Sequence, residues 1–181
     1  MKRISIKENR TVRIFFAIWP DEAVRKQLAH LAKRSVLISG GRGVKIEAIH
    51  LTLVFLGEVN VNRVDDLCSI AKGVIAKSFD FSIDEIYYWK QNRIICAGMK
   101  QYSPELLILV DSLRNVLSDA GFLFDRRDYR PHITLVRRAV YPVEYNLTRP
   151  ISWRIHEWTL MQSKQTDSGV YYIPLDRWSL R

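Results

Sequence analysis

The chain has 181 residues, 48% of them hydrophobic, and carries 28 basic against 19 acidic side chains, a formal charge of +9. That is enough apolar material for a sizeable core, but no apolar run approaches the roughly 20 residues that cross a bilayer, which argues against a membrane-spanning protein. The excess of positive charge favours polyanionic partners, nucleic acid or a phosphorylated ligand, through an attraction that weakens with salt.

The start MKRISIKENR is basic and leads into IFFAIW, too short and too soon followed by Pro20 and Asp21 for a signal-peptide core, so a cytoplasmic location is expected. Residues 12–34 read as a buried strand, a Pro-Asp helix start, and an amphipathic helix with Val24, Leu28 and Leu31 on one face. The stretch SGGRG at 39–43 follows; it lacks the Lys-Ser/Thr of a phosphate loop and reads as a flexible turn. Next comes HLTLVFLG at 50–57, a strand by its β-branched, aromatic and aliphatic content. The second half repeats the order. Residues 93–121 give a strand, a Ser103 cap with Pro104 at the first helical position, a helix and a Gly121 stop, and HITLVRR follows at 132–138. Arg13 precedes His50 by 37 residues and Arg93 precedes His132 by 39, so the chain reads as two copies of one strand, helix and His-strand unit.

Strand geometry gives the repeated motif its meaning. Side chains alternate faces, so His50, Thr52 and Val54 are expected on one face and Leu51, Leu53 and Phe55 on the other, with His132 and Thr134 likewise paired. Neighbours on one face lie about 6.5–7 Å apart, which lets an imidazole and a hydroxyl reach different oxygens of one phosphate. If the two units pair about a pseudo-two-fold axis, one cleft receives a His-Thr pair from each side. In-line displacement at phosphorus needs a base on the attacking oxygen and an acid on the leaving oxygen, and two imidazoles with ordinary pKa near 6.5 can divide those roles near neutral pH. A single H-x-T in a strand is commonly a satisfied half-buried pair; two copies at one place in a repeated unit favour the catalytic reading.

The remaining candidates carry less. Arg126, Arg127, Arg130, Arg137 and Arg138 bracket the second motif and concentrate charge there. His30 falls within the first helix and His156 in a late strand, and both are set aside as structural. Phe55 and the YYW run at 87–89 could stack a base, although core packing is the simpler fate. Cys68 and Cys96 have no ligand spacing and read as buried reduced thiols.

The segments VRIFFAIWP (12–20), HLTLVFLGEV (50–59), RIICAGM (93–99), RPHITLVR (130–137) and the tail at 160–178 resemble the two-histidine (2H) phosphoesterase family, most closely its bacterial and archaeal RNA 2′,3′-cyclic phosphodiesterase (2′-5′ RNA ligase) branch. The resemblance covers nearly the whole chain. It implies an α+β architecture, one bilobal domain over 1–181 with an antiparallel sheet and outer helices in each lobe and the cleft between the sheets. It also implies hydrolysis of an RNA terminal 2′,3′-cyclic phosphate to a 2′-phosphate, with reverse 2′-5′ joining, by a monomer that needs neither metal nor other cofactor. Carried over by position, the catalytic histidines fall on His50 and His132, the phosphate-binding threonines on Thr52 and Thr134, and a basic phosphate contact on Arg137. Members commonly have Asn two residues before the first His, where this chain has Ala48. Two other readings stay open on the motifs alone: a phosphodiesterase for 2′-5′ oligonucleotides or small cyclic nucleotides, and a non-catalytic RNA-binding module.

Overall fold

The computed structural model describes residues 10–167 and 169–181. In chain order these form β1 (Thr11–Ile18), α1 (Glu22–Ser39), β2 (Arg42–Gly43), β3 (Leu51–Asn60), α2 (Val64–Ala71), β4 (Phe79–Trp89), β5 (Ile94–Gly98), α3 (Pro104–Asp119), β6 (Ile133–Arg137), β7 (Tyr145–Ile155), β8 (Glu157–Thr166) and β9 (Gly169–Ser179). The α+β expectation holds, with every strand pairing antiparallel.

Local chemistry sets the helix ends. The Asp21 carboxylate accepts from the Val24 amide at 2.8 Å and starts α1, and Gly40 ends it at φ 64°, a left-handed value that glycine adopts without strain. Ser103 caps α3 by accepting from the Leu106 amide, and Pro104 opens its first turn. Along α3, Leu106, Leu109, Val110, Leu113 and Leu117 form one buried stripe, the 3.6-residue periodicity that commits a helix to a sheet.

The strands run in the order β7-β4-β5-β6-β3-β1-β8-β9, with β2 added beside β6. Four strands lie to each side of the β3–β6 junction, and that junction rests on a single residue pair, Leu51 with Ile133. Each half therefore places its His motif on its innermost strand and its first strand, β1 or β5, directly beside it. The helices exchange: α1, from the first unit, packs on β6 and β7, whereas α3, from the second, packs on β3 and α2. Each unit covers the other's sheet, so the halves cannot part without exposing both helical stripes. The main core lies on this helix side, around Phe16, Leu28, Leu53, Leu113 and Trp158. On the opposite face a smaller cluster forms from Phe15, Ala17 and Met161 with Trp19, Phe55 and Tyr172 against it.

Three details depart from the sequence reading. First, β3 does not alternate regularly. Its register with β1 skips twice, so that Thr52 pairs with Ala17, Val54 with Phe16 and Phe55 with Phe15. An extra residue in one strand reverses the faces beyond it, and Val54 is thereby turned into the core while Phe55 joins Thr52 on the opposite side. Secondly, the Gly-rich stretch is held rather than flexible. The Val140 and Tyr141 amides donate to the Ser39 carbonyl, Arg42 pairs with Arg137, and a Cβ on Gly41 would lie 2.7 Å from the Arg137 carbonyl. Thirdly, Cys68 is only half-buried, although Cys96 is fully buried as expected. Among the described residues no helix is long and apolar enough to cross a membrane.

Candidate active site

His50, Thr52, His132, Thr134 and Arg137 all line one cavity of about 470 Å³ where the two halves meet. Strand pairing brings them together, because β3 and β6 are neighbours and each carries its motif at the end nearest the shared Leu51–Ile133 pair. Both histidines stand one residue before their strands, at the point where an incoming turn becomes sheet.

The two imidazoles are anchored alike. His50 Nδ1 lies 2.8 Å from the Ala48 carbonyl oxygen, and His132 Nδ1 lies 2.8 Å from the Arg130 carbonyl oxygen, two residues back in each case. A carbonyl can only accept, so Nδ1 carries the hydrogen and donates, and Nε2 is left as the nitrogen that gains or loses a proton. The Ala48 contact uses main chain alone, so this tether does not need the Asn common at that place.

Their surroundings differ. Trp19 stacks on His50 at 4.7 Å and 11° between planes, and Phe15 and Tyr172 approach the same ring at 5.1 Å each. The Trp19 indole donates to the Glu47 carbonyl, so ring and imidazole are tied to the same short turn at 46–48. Burial among these rings pushes the His50 pKa down to about 4, opposed by its bond to Ala48 and reinforced by Arg137 and His132. His132 meets one ring, Trp89, edge-on at 5.1 Å. Burial and Arg137 hold its pKa below the ordinary value, again against a backbone hydrogen bond. In both rings burial thus favours the neutral form in the free protein.

The threonines are also placed differently. Thr134 pairs with Cys96 across the β5–β6 ladder, and the Cys96 side chain is hydrogen-bonded to the Thr134 and Tyr87 hydroxyls, burial raising the thiol to about 12. Thr52 faces Ala17, and its carbonyl accepts from the buried Tyr129 hydroxyl at 3.1 Å.

Several residues that sequence reasoning left aside belong to this face. Phe55 and Trp89, assigned to core packing, instead lie in the cleft region; of the YYW run only Tyr88 packs against the main core. Arg42, Lys45, Asn92 and Tyr172 also line the cavity. Alternation in FFAIW could have exposed Phe15 as a cleft residue, but Tyr172 sits on the far β8–β9 hairpin and no local pattern announces it. His30 and His156 are exposed and outside the cavity.

The LigT-like phosphoesterase family model matches residues 18–96, a stretch that holds the first His motif and stops before the second. The RNA 2′,3′-cyclic phosphodiesterase of Escherichia coli (strain K12) is 32% identical in an alignment of 173 positions that covers 93% of this chain and 96% of that protein. The chain belongs to the LigT-like phosphoesterase family. A second LigT-like relative, the RNA 2′,3′-cyclic phosphodiesterase of Thermotoga maritima, is 31% identical in an alignment of 177 positions that covers 89% of this chain and 91% of its own. Among solved LigT structures, E. coli LigT complexed with 3′-AMP superposes with a TM-score of 0.84 at 31% identity, over 94% of this chain and 99% of that one.

Within this LigT-like frame the cavity offers two imidazoles able to exchange protons at Nε2, two hydroxyl donors and one guanidinium. That set can hold a phosphodiester and move one proton at each of two oxygens on opposite sides of phosphorus.

Proposed function

We propose that this LigT-like phosphoesterase hydrolyses the 2′,3′-cyclic phosphate at an RNA end to a 2′-phosphate. The observation that carries the reading is the pair of H-x-T motifs lining one cavity with each Nδ1 tied to the carbonyl two residues before it. His132 takes a proton from water at Nε2, and the water oxygen bonds to phosphorus in line with the P–O3′ bond. That bond breaks, and O3′ receives the proton from Nε2 of His50. Thr52 and Thr134 donate to the non-bridging oxygens, and Arg137 offsets the charge that builds on them.

The acid must first be loaded. Burial and Arg137 keep His50 neutral in the free protein, whereas a bound phosphodiester anion counters the field of Arg137 and stabilises the imidazolium. Proton transfer then needs no metal, since both transfers use imidazole. The net charge of +9 supports a polyanionic substrate, and the names of the relatives and the 3′-AMP complex of E. coli LigT support a ribonucleotide one. Replacing water by a ribose 5′-hydroxyl breaks and forms the same bonds and yields a 2′-5′ joint.

The test compares an oligoribonucleotide ending in 2′,3′-cyclic phosphate with a 2′-5′-linked dinucleotide, each in excess chelator. Faster opening of the cyclic end, with a 2′-phosphate product, is expected. Preference for the dinucleotide would move the protein to 2′-5′ oligonucleotide turnover, and loss of activity in chelator with return on adding a divalent ion would remove the two-imidazole mechanism.

A further inference from the structure

The two halves share one irregularity beside the cavity. Between β1 and β3 the pairing steps from Phe16 with Val54 to Ala17 with Thr52, passing over Leu53. Between β5 and β6 it steps from Ile95 with Val136 to Cys96 with Thr134, passing over Leu135. Each skip is an extra residue in the His-bearing strand, a distortion that re-aims the side chains next to it, and both threonines line the cavity. The matched residues opposite them differ. Thr52 faces Ala17, whose methyl group has no hydrogen bond to give, whereas Thr134 faces Cys96, a fully buried thiol.

From this difference we infer that Cys96 and Tyr87 are positioning residues for Thr134, forming with it a hydrogen-bonded row that fixes the threonine hydroxyl for donation to a phosphate oxygen. This rests on the reading of the cavity as a cyclic phosphodiesterase. The row runs directly across three strands, since Tyr87 pairs with Cys96 and Cys96 with Thr134, and cross-strand partners share a face. The thiol is hydrogen-bonded to both hydroxyls. Gly98 makes room for the outer member: a Cβ there would lie 2.6 Å from Cε1 of the Tyr87 ring, so the ring rests against β5 where that strand has no side chain. The row ends at the cavity, because Thr134 lines it together with His132 and Arg137.

Each member has one hydrogen to give, so the row has a direction. Burial keeps the Cys96 sulfur protonated at neutral pH. A bound phosphate anion draws the Thr134 hydrogen toward the cavity. The Cys96 thiol then donates to Thr134 Oγ1, and the Tyr87 hydroxyl donates to Cys96 Sγ. All three hydrogens point the same way, the arrangement in which neighbouring hydrogen bonds strengthen one another. Without the thiol, Thr134 Oγ1 loses this donor and its hydroxyl is free to turn away from the phosphate. A thiol is a weak donor, so the effect is one of orientation and modest in size. No proton changes owner along the row.

The experiment is a set of double-mutant cycles on hydrolysis of a nucleoside 2′,3′-cyclic phosphate, with urea unfolding to establish that each variant is folded. Cys96→Ala is expected to lower kcat/KM about threefold to tenfold, the range of one hydrogen bond, and Tyr87→Phe, which keeps the ring on Gly98, about twofold. Cys96→Ser keeps a donor and should recover most of the loss. In a Thr134→Val background neither Cys96→Ala nor Tyr87→Phe should lower the rate further, while in a Thr52→Val background each should keep its full effect. If Cys96→Ala does not fold, Tyr87→Phe and Cys96→Ser carry the cycles. Losses of equal size with and without the Thr134 hydroxyl would show that the thiol and the tyrosine only pack, and would overturn the assignment; so would a rate unchanged by removing either. The same cycles are read on the affinity for inorganic phosphate by calorimetry. A parent that leaves cyclic phosphate intact would refute the cyclic phosphodiesterase reading, and the phosphate cycles would then decide the assignment alone: coupling to Thr134 upholds it, and its absence overturns it.

Discussion

The two halves of the cavity carry the same three-residue pattern in unlike surroundings. Around His50 the sheet face is aromatic, with Phe15, Trp19 and Tyr172 closing on the imidazole. Around His132 there is one edge-on tryptophan and an arginine-lined groove. The backbone tether is shared, down to its 2.8 Å length, so the difference lies in what covers each ring and not in how it is held. On the proposed mechanism, duplication supplies the geometry of two proton-transfer groups, and the non-equivalent side chains supply their division of labour. On that mechanism the side stacked with aromatic rings suits a proton delivered at one fixed oxygen, and the side with a single edge-on ring suits a nucleophile that enters from solvent.

The largest expected effect tests whether both sides are needed. His50→Ala and His132→Ala each remove one proton transfer and are expected to lower kcat by about 10²–10⁴, while the double variant loses little beyond the worse single one. Single-turnover measurements on a cyclic-phosphate-ended oligoribonucleotide give these rates. A substrate whose departing oxygen leaves without protonation should restore His50→Ala and leave His132→Ala impaired. Rescue of His132→Ala instead would exchange the roles.

A second way to sharpen the comparison is through folding stability. The unfolded chain takes a proton on His50 near pH 6.5, whereas the folded chain refuses it until about pH 4. Between those values the unfolded state binds more protons, so stability is full above pH 6.5 and falls as the solution is acidified through the window. The loss from this one ring is about 3 kcal/mol when the window has been crossed. Urea unfolding at pH 7 and pH 4 should therefore show a shallower acid loss for His50→Gln than for the parent. His132, lowered by the same causes, contributes with the same sign, and His132→Gln should also flatten the dependence. An unchanged difference between the two pH values in His50→Gln would mean that the aromatic side does not exclude water from the ring.

How legible this was depends on the range of the interactions. Strands, helix caps and the duplicated unit rest on local patterns such as Asp21 before α1 or Ser103-Pro104 before α3, and these could be read directly. His50, Thr52, His132 and Thr134 could be picked out as candidates for the same reason, since H-x-T twice is a pattern within single strands; the fold then brings them into one cavity with Arg137. The face of Phe55 was not, because it depends on a skip in the pairing of β3 with β1, two strands separated by a whole helix. The hold on the Gly-rich turn was missed likewise: it comes from Arg137 and the residues after β6, almost a hundred positions away. Tyr172 and the exchange of α1 and α3 between halves also arise only when distant segments meet.

The smallest effects concern the rings themselves, and they test most directly whether the asymmetry matters. Trp19 covers one whole face of His50 and is fixed by its bond to the Glu47 carbonyl, so Trp19→Ala removes a stacked partner and admits water at once. An aromatic pair of this kind contributes about 0.5–1.5 kcal/mol beyond its buried area, which corresponds to roughly twofold to tenfold in rate if the contact orients the ring during proton transfer. The loss should fall on kcat rather than KM, because Trp19 does not line the cavity that receives the phosphate. Relief of burial also raises the His50 pKa toward 6.5, so the limb of the pH–rate bell that His50 governs moves to higher pH while the His132 limb stays in place. The groups facing His50 that could confuse this reading are Arg137, His132 and Tyr172, and none is altered by the substitution. Trp19→Phe, which keeps a ring at the same place, should recover most of both the rate and the pH profile. Trp89→Ala removes only an edge contact from the more open side and should change kcat by about twofold with little movement of either limb. Equal consequences from the two tryptophans, in rate and in pH profile, would show that the aromatic side is packing alone and that the two histidines are interchangeable in all but position.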